Sequence, residues 1–218
     1  MALAIFDLDN TLLDGDSDYL WGVFLAEQGL VDGAVYEREN ERFYREYKEG
    51  RLDIFEFLRF SLRPLAQHPL ERLQGLHRQF MRDKIEPIIL PAAETLIEHH
   101  RTAGDTLLIV TATNAFVTAP IAKRLGVPHL IATDPERIDG RYTGNVAGIP
   151  SFQDGKVRRL EAWLAQHGQN LAGSSFYSDS HNDIALLEVV ERPVAVDPDP
   201  QLDAYARDRS WAVISLRA

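Results

Sequence analysis

The sequence predicts an α/β protein, with a doubly wound, Rossmann-like parallel sheet and a helical segment inserted after the first strand. Three observations lead there. Short unbroken apolar runs recur along the chain, and such runs read as parallel strands buried on both faces. Helical patterns separate most of them, and strand-helix alternation marks a doubly wound sheet. Residues 16–85 break that rhythm, with helical spacing and no convincing strand run.

The first run is Ala-Leu-Ala-Ile-Phe at 2–6. Later ones lie at 107–110, 129–132, 175–177, 193–196 and 211–214. Helices are expected at about 92–103, 115–125, 155–167, 182–190 and 200–207 from apolar spacing. Within 16–85, Tyr36, Phe43 and Tyr47 recur at helical intervals. So do Phe55, Leu58 and Leu62, then Leu73, Leu76 and Phe80. Asp53 followed by Glu56 resembles a capping pair at a helix start. Pro87 and Pro91 mark the return, so the expected division is a core of 1–15 with 86–218 and an insertion of 16–85. Pro120 falls inside an expected helix, where a missing amide should kink it or reset its start. Asp139-Gly140 is a turn signal for a small hairpin across 136–146 at the sheet's edge.

The 218 residues suit one sizeable domain or a core with a smaller insertion. With 23 basic and 33 acidic residues the formal charge is -10. That balance repels nucleic acid, and no basic run exceeds Lys156-Val157-Arg158-Arg159. The absence of cysteine excludes disulfides, thiolate catalysis and zinc-cysteine sites. No signal-peptide pattern opens the chain, and no apolar run approaches the roughly 20 residues that span a bilayer. The expectation is a soluble cytoplasmic protein without nucleic-acid or membrane partners.

Asp7 and Asp9 stand where the first apolar run stops. Ligands of open α/β sheets bind outside the carboxyl ends of strands, and residues i and i+2 of an extended chain point the same way. Two carboxylates held together need a counterion, and a hard cation with oxygen ligands supplies one. One carboxylate can then attack phosphorus while the other moves the proton. An isolated Asp-x-Asp pair more often merely ends a strand, so further parts are required. Asp179 and Asp183 provide them, in Ser178-Asp179-Ser180-His181-Asn182-Asp183 after another apolar run. An Asx turn with a helix cap is the plainer reading of that segment, and His181 suits the turn better than a substrate contact. Thr111-Ala112-Thr113-Asn114 ends a strand and opens a helix, where a hydroxyl and free amides suit phosphate. Lys156 stands at the start of another helix.

Together, Asp7-Leu8-Asp9-Asn10-Thr11, Thr111, Lys156 and Asp179 with Asp183 resemble the motif set of the haloacid dehalogenase superfamily of phosphatases, in order and spacing. The match spans nearly the whole expected core. The resemblance implies a phosphoric monoester hydrolase that uses Mg²⁺ and a phospho-aspartyl intermediate. It makes Asp7 the nucleophile and a metal ligand, and Asp9 the acid/base with its backbone carbonyl on the metal. Thr111 would hold a phosphate oxygen, Lys156 would pair with the phosphate and with the Asp7 charge, Asp179 would bind Mg²⁺, and Asp183 would bind or orient its shell. Asn114 joins the expected substrate-binding set, and Asn182 is expected to support the network. The insertion is similar to the cap of the phosphoserine-phosphatase-like subgroup, subclass IB. Arg141-Tyr142-Thr143-Gly144-Asn145-Val146 and Gly155-Lys156-Val157 look like that subgroup too.

The resemblance also bears on the substrate, a small phosphorylated metabolite. In phosphoserine phosphatases an acidic residue nine positions after the nucleophile faces the substrate amine, and that spacing falls on Asp16. The subgroup's arginine-bearing cap motif has no recognisable counterpart here, and Arg45, Arg51, Arg59 and Arg63 are candidates by type alone. Caps with a stretch like Gly50-Arg51-Leu52-Asp53 resemble bacterial phosphatases proposed for histidinol phosphate. Trp21, Phe24, Tyr44 and Phe57 are candidates to stack an imidazole, although their spacing also suits core positions. Histidinol phosphate therefore ranks first and phosphoserine second. Transfer to an alcohol, and a non-catalytic binding role on the same fold, are the rival readings.

Overall fold

A computed structural model describes residues 2–217. Seven strands form its sheet: β1 (Leu3–Phe6), β2 (Thr106–Asn114), β3 (His129–Ile138), β4 (Arg141–Ala147), β5 (Ser175–Ser178), β6 (Arg192–Val196) and β7 (Ala212–Ile214). Their spatial order is β4-β3-β2-β1-β5-β6-β7. All neighbours are parallel except β3 and β4. The chain builds outward from β1 in one direction, then returns to its other side at β5. The strand order therefore reverses at β1, and that reversal opens a crevice at the carboxyl ends of β1, β2 and β5.

Nine α-helices surround the sheet among the described residues: α1 (Ser17–Glu27), α2 (Gly33–Lys48), α3 (Ile54–Gln67), α4 (Leu70–Phe80), α5 (Pro91–Thr102), α6 (Ala115–Arg124), α7 (Asp154–His167), α8 (Ile184–Leu187) and α9 (Pro200–Asp208). None is long and apolar enough to cross a membrane. Successive strand residues alternate between faces. Ala4, Phe6, Leu107 and Ile109 join one buried cluster, with residues of α5 and α6. Leu3, Ile5, Leu108 and Val110 join the other, with Leu160 of α7, Leu186 and Leu187 of α8, and Leu202 of α9. Both faces being covered explains why the strands read as continuous apolar runs.

Helices α1 to α4 occupy the stretch between β1 and α5. Three of them share the sheet's apolar cluster, Trp21, Leu58, Leu62 and Phe80 joining Phe6 and Ile109, while α2 packs Tyr36 and Phe43 on Phe57 and Phe60 of α3. An aromatic group forms the junction. Trp21 is 2% exposed and meets Phe80 edge-on at 5.1 Å and Phe116 of α6 at 5.5 Å. His77 adds a polar tie, its Nε2 lying 2.9 Å from the carbonyl of Val117. After Phe80 the helix continues through a wide turn, Met81–Ile85, and a tight one, Glu86–Ile88. The outgoing and returning chains then pair. Leu13 bridges Ile89, Asp14 N donates to Ile88 O at 2.8 Å, and Leu90 N donates to Leu12 O at 3.2 Å.

Several local expectations are refined. The helix expected at 182–190 is a tight turn, His181–Asp183, followed by the single turn of α8. Leu186 and Leu187 are buried there, and β6 begins only five residues later, at Arg192. Pro120 lies inside α6, which runs unbroken because Asn114, not the proline, sets its start. Asp53 does cap α3 through the amides of Phe55 and Glu56. Glu56 does not close a capping box, since its carboxylate pairs with Arg42 at 2.7 Å instead. Asp139 and Gly140 both take positive φ, 49° and 79°, and join β3 to β4 in the hairpin the turn signal predicts.

His77 carries a testable consequence. Burial holds its imidazole below the ordinary range. The unfolded chain therefore takes up this proton at higher pH than the folded one. The stabilisation is complete above the unfolded value of 6.5 and is lost as pH falls through it toward the folded value. Urea unfolding at pH 7.5 and 5.5 should show a smaller pH-dependent loss of stability in His77→Phe than in the parent. An equal loss in both would assign the dependence to other groups.

Candidate active site

Asp7 follows the last residue of β1, and its amide extends the ladder by donating to Tyr177 O at 2.9 Å. It is 6% exposed. Lys156, in the first turn of α7, reaches across the crevice. Its Nζ donates to Asp7 Oδ1 at 2.8 Å and to Asp183 Oδ2 at 2.8 Å. Ser178 at the end of β5 donates to the same Asp183 oxygen at 2.7 Å. Thr11 links the two acidic strand ends: its hydroxyl accepts from Asp179 N at 3.1 Å and donates to Asp179 Oδ1 at 3.3 Å. Asp9 is held from both sides. Its Oδ1 accepts from Ser17 N at 2.7 Å, at the start of α1, and its Oδ2 accepts from the Thr113 hydroxyl at 2.8 Å.

Burial is the first influence on these groups. It pushes the Asp7 carboxyl up to about 7, with Lys156 opposing and the Asp183 and Asp9 charges adding to the rise. It pushes Asp9 up to about 6, aided by the Asp16 charge and opposed by the Ser17 and Thr113 hydrogen bonds. Asp179 is raised well above the usual carboxylate range, again by burial and then by Asp7 and Asp183. Burial pulls the Lys156 ammonium down, but Asp183 and Asp7 outweigh it and the net direction is up.

The donors suit a hard divalent cation. They are oxygens only: Asp7 and Asp183 share the Lys156 ammonium, and Asp9 and Asp179 add two carboxylates that it does not bond. Among the described residues no three His, Asp or Glu side chains are drawn together as a ligand cluster. The fit to magnesium rests on the all-oxygen donor set, since that ion keeps several waters and takes only one or two carboxylates directly.

Sequence reasoning named the acidic residues and Lys156 but not Ser17, Thr113 and Ser178, which support them. Thr111 is buried, with its hydroxyl 3.5 Å from Asp9 Oδ2 and accepting from Thr113 N at 3.2 Å. Thr113 makes the shorter bond to Asp9, and its i+2 spacing from Thr111 on a strand was the available signal. Asp16 caps α1, its Oδ1 accepting from the amides of Asp18 and Tyr19 at 2.9 Å, and it lines the cavity. Asn114 does not line that cavity. Its side chain caps α6 through Val117 N and donates to Asp18 Oδ1 at 3.1 Å. Asn182 accepts from Gln153 and donates to the carbonyl of Tyr47 at 3.3 Å. His181 points its Nδ1 at Asp199, 2.8 Å away, and stays outside the cavity.

The cavity, about 80 Å³, runs from Asp7 and Lys156 up between α1 and α2. Asp16 and Asp18 line it, and Phe43, Tyr44, Tyr47 and Phe57 give it an aromatic wall. Trp21 and Phe24 do not, because both are core residues. Lys156 is its only basic lining residue among those described, and Arg45, Arg51, Arg59 and Arg63 stand outside it.

Three comparisons bear on this arrangement. The family model described as haloacid dehalogenase-like hydrolase matches residues 4–188. A histidinol-phosphatase from Neisseria meningitidis serogroup C (strain 8013) is 46% identical over 219 residues, covering 99% of each chain. A crystal structure of a protein of unknown function from Bordetella pertussis Tohama I superposes with a TM-score of 0.93 at 49% identity, covering 99% of this chain and 98% of that one. A substrate-bound phosphoserine phosphatase shares the fold, with a TM-score of 0.71 at 22% identity over 99% of this chain and 92% of its own. The chain belongs to the haloacid dehalogenase-like hydrolases, in the phosphoserine-phosphatase-like subgroup, and is a phosphoric monoester hydrolase.

The position of Lys156 depends on the residue before it. A Cβ on Gly155 would stand 2.1 Å from the carbonyl oxygen of Pro150. Backbone cannot yield as a flexible side chain can, so Gly155→Ala must shift the start of α7. Displacement on the scale of an ångström costs about 100-fold in rate. Gly155→Ala should therefore lower kcat for an aryl phosphate by about that factor while the far-ultraviolet circular dichroism stays helical. Unchanged kcat would show that α7 absorbs the shift without moving Lys156.

Proposed function

We propose that the protein hydrolyses a small phosphomonoester carrying a cationic amine, with histidinol phosphate as the first candidate, through a phospho-aspartyl intermediate on Asp7. The observation that carries the substrate reading is the lining of the cavity. Two carboxylates, Asp16 and Asp18, face it, and its single described cation, Lys156, is already engaged by Asp7 and Asp183. An ammonium on the substrate relieves that negative surplus. A substrate carboxylate finds no arginine or free lysine to receive it, which disfavours phosphoserine. The aromatic wall suits a flat ring, and the similarity to a histidinol-phosphatase points the same way.

The chemistry follows from the chain's own groups. Asp7, at the tip of β1, attacks phosphorus through its free oxygen and forms an acyl phosphate. Lys156 holds the other oxygen and adds positive charge where the phosphoryl group collects negative charge. Asp9, fixed by Ser17 and Thr113, gives a proton to the leaving oxygen and then takes one from water. Thr111 stands within reach to hold a phosphoryl oxygen. Asp7, Asp9, Asp179 and Asp183 would hold magnesium, which supplies Lewis-acid neutralisation of the phosphoryl group when bound. Residues 16–85 serve as the cap. The end of α2 contacts the core where the Tyr47 hydroxyl donates to Ser180 Oγ at 3.0 Å, which supports the reading of this segment as a closing cap.

Asp7→Asn keeps the size of the side chain and removes the nucleophile. Turnover should fall by at least about 10⁴-fold, as for other nucleophile deletions, with thermal unfolding still cooperative. Substantial residual turnover would rule out a covalent step on Asp7. Substrate choice is read from phosphate release over a panel of phosphorylated metabolites in Mg²⁺, with chelated controls. Histidinol phosphate should exceed phosphoserine in kcat/KM by tenfold or more, and chelation should stop both reactions reversibly. A preference for phosphoserine would overturn the substrate reading, and metal-independent turnover would overturn the metal's role.

A further inference from the structure

Helix α2 turns one face to the cavity, presenting Asn40, Phe43, Tyr44 and Tyr47. The spacing i, i+3, i+4, i+7 is a single helical stripe. Three of the four are aromatic, and Asn40 is the exception. It is 8% exposed and lines the cavity, and its side chain makes no hydrogen bond among the described residues. Its amide is thus open to a partner in the cavity. It also brings two donors and an acceptor to an otherwise aromatic wall.

The neighbouring helix is built to admit it. Gly22 lies in the middle of α1, facing Asn40. A Cβ there would stand 2.6 Å from Asn40 Nδ2 and 2.8 Å from the Tyr36 ring. Glycine weakens a helix interior relative to alanine, so its presence answers a demand for space rather than for helicity. One turn before Gly22 on the same helix, Asp18 lines the cavity too and is anchored by Asn114 Nδ2 at 3.1 Å.

We infer that Asn40 is a specificity-determining residue, whose side-chain amide hydrogen-bonds a nitrogen-bearing group on the organic part of the substrate. This rests on the amine-bearing substrate proposed above and identifies the residue that reads the organic part. A phosphoester with no polar group at that depth leaves the amide unpartnered, and sites built to hydrogen-bond a substrate group reject analogues that lack it.

The test compares the parent with Asn40→Leu, which keeps volume and removes polarity, and with Asn40→Ala, which guards against poor packing of the leucine. Kcat/KM is measured for L-histidinol phosphate, phosphoserine, phosphoethanolamine and p-nitrophenyl phosphate. The readout is each ratio to the p-nitrophenyl value. In both variants the ratio for the preferred nitrogen-bearing substrate should fall roughly 10- to 100-fold, chiefly through KM. If the parent prefers histidinol phosphate but the ratio stays within twofold, the role of Asn40 is overturned and the substrate reading stands. If the parent prefers another nitrogen-bearing substrate and the variants lose that preference, Asn40 keeps its role and histidinol phosphate is displaced. A parent with no preference over p-nitrophenyl phosphate overturns both.

Discussion

One ammonium holds the site together. Lys156 lies buried between Asp7 and Asp183, and its two 2.8 Å bonds tie the tip of β1 to the turn after β5 through the first turn of α7. Those elements are far apart in the chain and meet only because the strand order reverses at β1. A buried charge pair is costly to desolvate and gives little net stability. Its value here is positional. Removing the lysine leaves two carboxylates facing each other in a setting where burial already pushes Asp7 upward. Gly155 and Ser178 serve this arrangement, one by letting α7 start close to Pro150, the other by donating to Asp183.

The cavity above this centre divides its work between two helices. Asp16 and Asp18 come from the start of α1, whose first amides are free to fix such carboxylates. The aromatic wall and Asn40 come from α2 and from α3 beyond it. Ser17 connects the two levels, because its amide at the start of α1 is also a ligand of Asp9. One hydrogen bond thus ties the start of α1 to Asp9.

The sheet was legible because burial on both faces leaves an unbroken apolar record in each strand, as in Leu107-Leu108-Ile109-Val110. The acidic residues were legible because Asp7 and Asp9 recur with Asp179 at strand ends. Among their supports Lys156 is legible at its helix start, whereas Thr113 looks like any strand residue until the fold brings it to Asp9. Asn114 is expected to face substrate from a segment whose hydroxyl and helix amides suit phosphate. Its cap bond and its bond to Asp18 use that side chain instead. The cavity aromatics were harder still. Trp21 and Tyr44 share a residue class and a helical periodicity, and only the packing of α1 on α6 sends one to the core and the other to the cavity. Asn40 left no signal at all, since a lone asparagine in a charged helix reads as surface.

The aromatic junction of Trp21, Phe80 and Phe116 bears on how such an enzyme can diverge. Because α1, α3 and α4 share the sheet's apolar cluster, the inserted helices are not a freely exchangeable module. Cutting them out would expose part of one face of the sheet, and grafting a different set would need a matching partner for Phe116. Point changes on the inner stripe of α2, by contrast, leave that junction untouched. The inserted helices are part of the sheet's foundation.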